Sequence, residues 1–168
     1  MDYVRIRGAA AAAFVCLAWG SAALAAPIDQ AEILTAHNKY RAMVGTPPLT
    51  WSARLADGAQ KWAEQMAALG RLKHSGAEGV GENLAFATAG HMTLTQLIDI
   101  WGGEKRLFKP GTFPDISTNG NWRDVGHYTQ IVWRDTREVG CAVAIGGGNE
   151  YLVCQYGPQG NIMGERAY

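Results

Sequence analysis

Two cysteines placed symmetrically about a Gly-Gly step restrict the fold of this chain more than any other feature. Cys141 and Cys154 flank Gly147-Gly148 at equal distances. The segments 138–145 and 150–156 both read as strands, and Gly146 to Asn149 lies between them. With Gly147-Gly148 at the centre of a two-residue turn, positions equidistant from it face each other. Cys141 then stands opposite Cys154, five steps from the hydrogen-bonded pair Gly146:Asn149. That makes the cysteines a non-hydrogen-bonded pair with close side chains. The spacing suits a cross-strand disulfide. The loop it closes is short, so the bond contributes on the order of 2–3 kcal/mol. Two buried thiols are the competing reading, and the compartment decides between them.

The first 25 residues read as a secretory signal. Arg5 and Arg7 give a basic start, Gly8 to Trp19 is an apolar run rich in Ala, and Ala23-Leu24-Ala25 is a small-x-small cleavage site. The apolar run is short for a membrane span of about 20 residues. A detached helix is expected there if the segment is retained. The mature product is then residues 26–168, 143 residues long. Cys16 leaves with the signal, and an oxidising destination favours the Cys141–Cys154 bond. No other stretch is apolar enough to span a membrane. The predicted product is soluble and secreted, extracellular or periplasmic.

The length fits one domain. Fifteen basic residues balance fifteen acidic ones, and removal of Arg5, Arg7 and Asp2 leaves a net charge of −1. That balance speaks against broad electrostatic binding to nucleic acid or to anionic membranes. Three helices are predicted first. Asp29 caps one, with Glu32 three residues on, and Ile33, His37, Tyr40 and Val44 follow at helical spacing until Gly45-Thr46-Pro47-Pro48. Ser52 caps the second, whose stripe is Leu55, Ala59, Trp62, Met66 and Leu69, with Gly70 at its end. The third runs from about Thr93 to Phe108. Residues 109–125 read as a long loop carrying Phe113 and Trp122. Tyr128 to Trp133 reads as a strand before the cysteine hairpin. Helices first and antiparallel strands last give an α+β domain.

Candidate chemistry is scattered. Glu104 extends the stripe of Leu97 and Trp101, and periodicity alone places it at the stripe's rim in solvent. His127 precedes the expected strand, His74 follows the second helix, and Glu82 sits in a turn at Gly81-Glu82-Asn83. His37 reads as a hydrogen-bonded core histidine and His91 as a solvent-facing one. No zinc spacing, nucleophile elbow or phosphate loop is present, and Ser75 beside His74 is weak evidence for a nucleophile.

Four segments, taken in order, resemble the CAP superfamily of cysteine-rich secretory proteins, antigen 5 and pathogenesis-related class 1 proteins. His37-Asn38-Lys39-Tyr40-Arg41 is similar to the family's H-N-x-x-R. Gly81-Glu82-Asn83-Leu84 is similar to its G-E-N-[ILV]. Gly126 to Trp133 resembles its first signature, and Tyr151 to Ile162 its second. The resemblance implies an α-β-α sandwich: a small antiparallel sheet with helices on both faces. It also implies a cleft holding His74, Glu82, Glu104 and His127, which moves Glu104 from solvent into the cleft. His74 and His127 would be the ligands of a divalent metal, Zn²⁺ foremost, and Glu82 and Glu104 either orient the imidazoles or act as a base. A self-satisfied His–Glu network without metal is the alternative. Some fungal members bind sterol or lipid near the cleft, a part that falls here to Phe108, Phe113 and Trp122. Plant members carry three disulfides where this chain has one, so a looser 109–125 loop is expected. The tail, Pro158 to Tyr168, resembles a stretch released as a signalling peptide in plants, with Ala167 where Pro is usual. The functional expectation is a secreted, non-enzymatic protein that binds a sterol-like ligand, a lipid or a partner protein. The alternative is a metal-dependent hydrolase using the same cleft.

Overall fold

The computed structural model describes residues 28–168. The signal segment, Cys16 and the helix expected for the leader lie outside those residues. Helix α1 is Gln30–Val44, entered through Asp29, whose side chain accepts from Glu32 N at 3.0 Å, and stopped by Gly45 in the left-handed region at φ 72°. A two-residue strand β1, Thr50–Trp51, precedes helix α2, Ala53–Leu69. Ser52 occupies the cap position of α2 without a side-chain cap bond, so the helix begins without the expected local signal. Strand β2 is Gly81–Thr88. Helix α3 is Leu94–Gly103, opened by a capping box between Thr93 and Gln96. It does not run on to Phe108. At Glu104 the chain tightens into a 3₁₀ turn, Glu104–Leu107. A second 3₁₀ turn, Trp122–Asp124, precedes helix α4, Gly126–Val132. Strands β3, Glu138–Gly146, and β4, Asn149–Gly157, follow.

Two further sequence readings are corrected. Tyr128 to Trp133 is not a strand but most of α4. Every residue of α4 except His127 is buried, so no apolar alternation separates strand from helix there. Its ends are also completed from outside. The Glu104 carboxylate accepts from His127 N and Tyr128 N, both at 3.0 Å. At the other end, Arg41 Nη1 donates to Ile131 O and Trp133 O, both at 2.8 Å. The second correction is β2, whose start was read as a turn.

The sheet order is β1-β3-β4-β2, antiparallel except for the short parallel β1. Gly146 faces Asn149 and Cys141 faces Cys154, the register that the Gly147-Gly148 turn dictates. The two cysteines are bonded. Helix α2 covers one face over Leu84, Ala142, Tyr151 and Val153. On the other face Ile33 of α1, Trp101 of α3 and Ile131 of α4 share a core with Val139, Leu152 and the disulfide. The result is the expected α-β-α sandwich. Among the described residues no helix is long and apolar enough to cross a membrane.

The loop between α3 and α4 is held rather than loose. Phe113 and Ile116 are buried, and Lys109 N donates to Ile116 O at 2.9 Å. The C-terminal tail lies along it as a strap: Phe113 N donates to Glu165 O at 2.7 Å, and Gly164 N to Phe113 O at 3.0 Å. Ala167 is buried, and its carbonyl accepts from Arg134 N. These contacts supply the order that further disulfides would otherwise provide.

Candidate functional site

Three of the four expected residues, His74, Glu82 and His127, line one cleft, and the fourth, Glu104, stands behind His127. Glu82 is the second residue of β2, and register with Gln155 of β4 fixes its place. Its Oε1 accepts from His74 Nδ1 at 2.9 Å and from Ser75 N at 2.8 Å, so the carboxylate anchors the segment after α2 as well as the imidazole. Its Oε2 lies 3.5 Å from Gln155 Nε2. Burial alone would raise the Glu82 carboxyl. The hydrogen bonds from His74 and Ser75 outweigh it and hold the group below its ordinary value.

Glu104 is half-buried against the N-terminus of α4, behind His127, and does not itself line the cleft. The tightening of the backbone after α3 turns it toward the α4 N-terminus. Its Oε1 accepts from His127 Nδ1 at 2.6 Å, while Oε2 takes the two first-turn N–H groups. A helix N-terminus favours a carboxylate in that position. His127 is further held by Trp101, whose ring lies nearly parallel at 6.0 Å and whose Nε1 donates to Leu84 O. The structure therefore holds two parallel units, His74–Glu82 and His127–Glu104.

A carboxylate can only accept, so each imidazole carries its proton on Nδ1. In the neutral form the Nε2 of each ring is a lone-pair donor, and among the described residues neither has a hydrogen-bond partner. Imidazole with a carboxylate on its other nitrogen is the usual arrangement of a histidine ligand. The donor set therefore fits Zn²⁺ or a similar ion. Among the described residues no group of three or more His, Cys, Asp or Glu stands together as a complete cage. An ion bound by the two imidazoles would keep positions open to water or a ligand.

The cleft encloses about 610 Å³ and is lined by His74, Glu82, His127, Phe113 and Trp122, among others. Phe113 and Trp122 meet edge to face at 5.0 Å and form its aromatic wall. Phe108 does not join them. It packs on Tyr128 at 5.4 Å and on Tyr168 at 5.5 Å, under the tail. Ser75 is not aligned as a nucleophile, because its hydroxyl accepts from Ala77 N. His37 is a core histidine and His91 is exposed.

Sequence reasoning about single residues missed Asn83, Gln130 and Asn161, which also line the cleft. The signal was present in the motifs that contain them. Gln130 packs so close to Gly81 that a Cβ there would lie 2.0 Å from its Oε1, which explains the glycine of Gly81-Glu82-Asn83. Asn83 donates to Tyr156 Oη and to His127 O, and so links β2, β4 and α4 behind the cleft.

Comparison with known proteins matches these features. The family model described as the cysteine-rich secretory protein family, CAP, covers residues 34–156. Pathogenesis-related protein 1C of Nicotiana tabacum is 39% identical over 141 residues, covering 83% of this chain and 81% of the relative. Venom allergen 5.02 of Dolichovespula maculata is 34% identical, covering 83% and 76%. Among solved structures, NaASP2 with Zn²⁺ is similar with a TM-score of 0.70 and 28% identity over 82% of this chain and 83% of that one.

Proposed function

Because the chain belongs to the CAP family of cysteine-rich secretory proteins, we propose that it is an exported binding protein whose cleft holds a divalent ion, Zn²⁺ foremost, on His74 and His127 and an apolar, sterol-like or lipid ligand against Phe113 and Trp122. The observation that carries this reading is the pairing of both imidazoles through Nδ1, which leaves two Nε2 donors without a protein partner beside an aromatic wall. The similar NaASP2 structure was solved with Zn²⁺. When bound, such an ion supplies a positive centre with open coordination positions for an oxygen-bearing group of the ligand.

The carboxylates support binding through the order they give the imidazoles. All four oxygens of Glu82 and Glu104 already accept hydrogen bonds. Their work is to set the tautomer and orientation of the imidazoles. Glu104 also holds the helix that carries its histidine.

The test is calorimetric titration of the mature protein with Zn²⁺ and, separately, with a fluorescent sterol. His74→Ala/His127→Ala abolishes the metal signal and leaves the sterol signal in place. Trp122→Ala weakens sterol binding by roughly tenfold, as loss of a buried aromatic contact implies. Unchanged metal binding in the double histidine variant, or an unchanged sterol signal in Trp122→Ala, would defeat the assignment.

A further inference from the structure

A second groove lies on the other side of the sheet's disulfide end, away from the His–Glu cleft. Strand β1 covers β3 only at Glu138 and Val139, and its last contact is Ser52 N to Val139 O at 2.9 Å. Beyond that point β3 has no strand neighbour on its outer edge, which is buried at Cys141 and partly exposed from Val143 onward. Cys141 faces Cys154 with a Cα–Cα separation of 4.1 Å, the close spacing of a non-hydrogen-bonded pair. The backbone N–H and C=O of Cys141, and of Val143 two residues on, therefore point away from β4 toward that edge. Among the described residues no backbone group pairs with them.

The edge forms the floor of a groove of about 820 Å³ between α2 on one side and the first turns of α1 and α3 on the other. Its walls carry five carboxylates, those of Asp29, Glu32, Asp57, Glu64 and Glu150, and no Lys, Arg or His. Asp57 and Glu64 stand two turns apart on one face of α2. None of the five takes part in an ion pair among the described residues. Glu150 Oε1 is buried and has no hydrogen-bond partner, an orphan acceptor at the groove. Trp51 and Val143 add apolar surface between the charges. The carboxylates are spread along the groove and form no cluster of three that would hold a single ion.

We propose that this groove binds an extended peptide segment with consecutive lysine or arginine residues, added as a strand alongside β3 in continuation of β1. An unpaired strand edge recruits an extended chain through its backbone groups. Acidic walls on both sides of that edge select the cationic side chains, which alternate between faces along the added strand. A basic head reaching Glu150 supplies the donor that its Oε1 lacks.

The experiment uses the ¹⁵N-labelled, disulfide-bonded mature protein and the peptide acetyl-Lys-Lys-Lys-Lys-Lys-amide. The amide signals of Cys141 and Val143 shift on titration. Asp57→Asn/Glu64→Gln weakens binding by about tenfold or more, and the single variant Glu150→Gln weakens it in the same direction. Asp57 and Glu64 are exposed on a helix and cap nothing, so the variant folds, and its intact disulfide and amide dispersion verify this. A peptide methylated at alternate backbone nitrogens loses binding, because it cannot pair with the strand. The proposal is overturned if spermidine binds as tightly as the peptide, if the methylated peptide binds equally, or if the Cys141 and Val143 signals stay in place.

Discussion

His37 sits in the middle of the helix–sheet core with no exposure at all. Its Nδ1 donates to Ile33 O at 2.8 Å, and its Nε2 accepts from Tyr156 Oη at 2.8 Å. The ring is satisfied only as the neutral form, and burial pushes its pKa down to about 4 from an ordinary 6.5. The sign follows from linkage. Below 6.5 the unfolded chain takes up a proton that the fold refuses, so stability is full above 6.5 and is lost as pH falls toward 4. The loss amounts to roughly 3 kcal/mol over that window. Glu82 adds a second loss below its ordinary 4.5, since its folded carboxyl is held lower. Urea denaturation at pH 7, 5.5 and 4.5 should show the first decline, and His37→Gln should remove it. A flat profile down to pH 4.5 would contradict the buried neutral ring. Arg41, four residues on, is also buried, and donates to the carbonyls of Pro47, Ile131, Trp133 and Thr136. The polar letters of His37-Asn38-Lys39-Tyr40-Arg41 thus serve the scaffold, since Asn38 likewise bonds Leu49 through both N–H and C=O. At this scale the sequence placed His37 correctly from helical spacing. Periodicity placed Glu104 wrongly, because its partners lie 23 and 24 residues away.

The shortest helix and the tail explain where element prediction succeeded and failed. Helices α1 and α2 carry their glycine stops and most of their stripes locally, and both were legible, although Leu69 at the end of the expected α2 stripe is exposed and Ala63 is buried instead. The cysteine hairpin was legible because a two-residue turn fixes register by counting. Helix α4 has seven residues and no local cap, and it stands only because Glu104 closes one end and Arg41 the other. Such a helix has too few residues to be stable by propensity. The tail is the converse case: polar and Gly-rich in sequence, yet bound to the α3–α4 loop by paired backbone bonds at Phe113. Deleting residues 164–168 removes those bonds together with the burial of Ala167. Hydrogen exchange across residues 109–117 should then accelerate by about tenfold or more, as expected when a local segment loses a kilocalorie or two of protection. Exchange unchanged in the truncated protein would mean that the loop holds itself. The aromatic wall of the cleft depends on the same strap, so sterol binding should weaken along with it.

At the scale of the whole molecule the proposed export is the step to test. If the leader ends at Ala25, intact mass spectrometry of the secreted product gives a chain starting at Ala26 and lighter by two hydrogens than the fully reduced form. Two titratable thiols, or a retained leader, would contradict the reading. The amino-acid sequence by itself determined the helical stripes of α1 and α2, the hairpin register and the pairing of Cys141 with Cys154, because each depends on residues close in the chain or on simple counting across one turn. Two of its ordered motifs also carried Glu82 and His127, which line the cleft. Only the tertiary structure decided that residues 126–132 are helical, that Glu104 turns inward to serve His127, that Phe108 lies beneath the tail while Phe113 and Trp122 face the cleft, and that β3 keeps an acidic edge without a strand neighbour. These outcomes rest on charges and backbone groups that find their partners from distant parts of the chain, and no local pattern records which partner will be in reach.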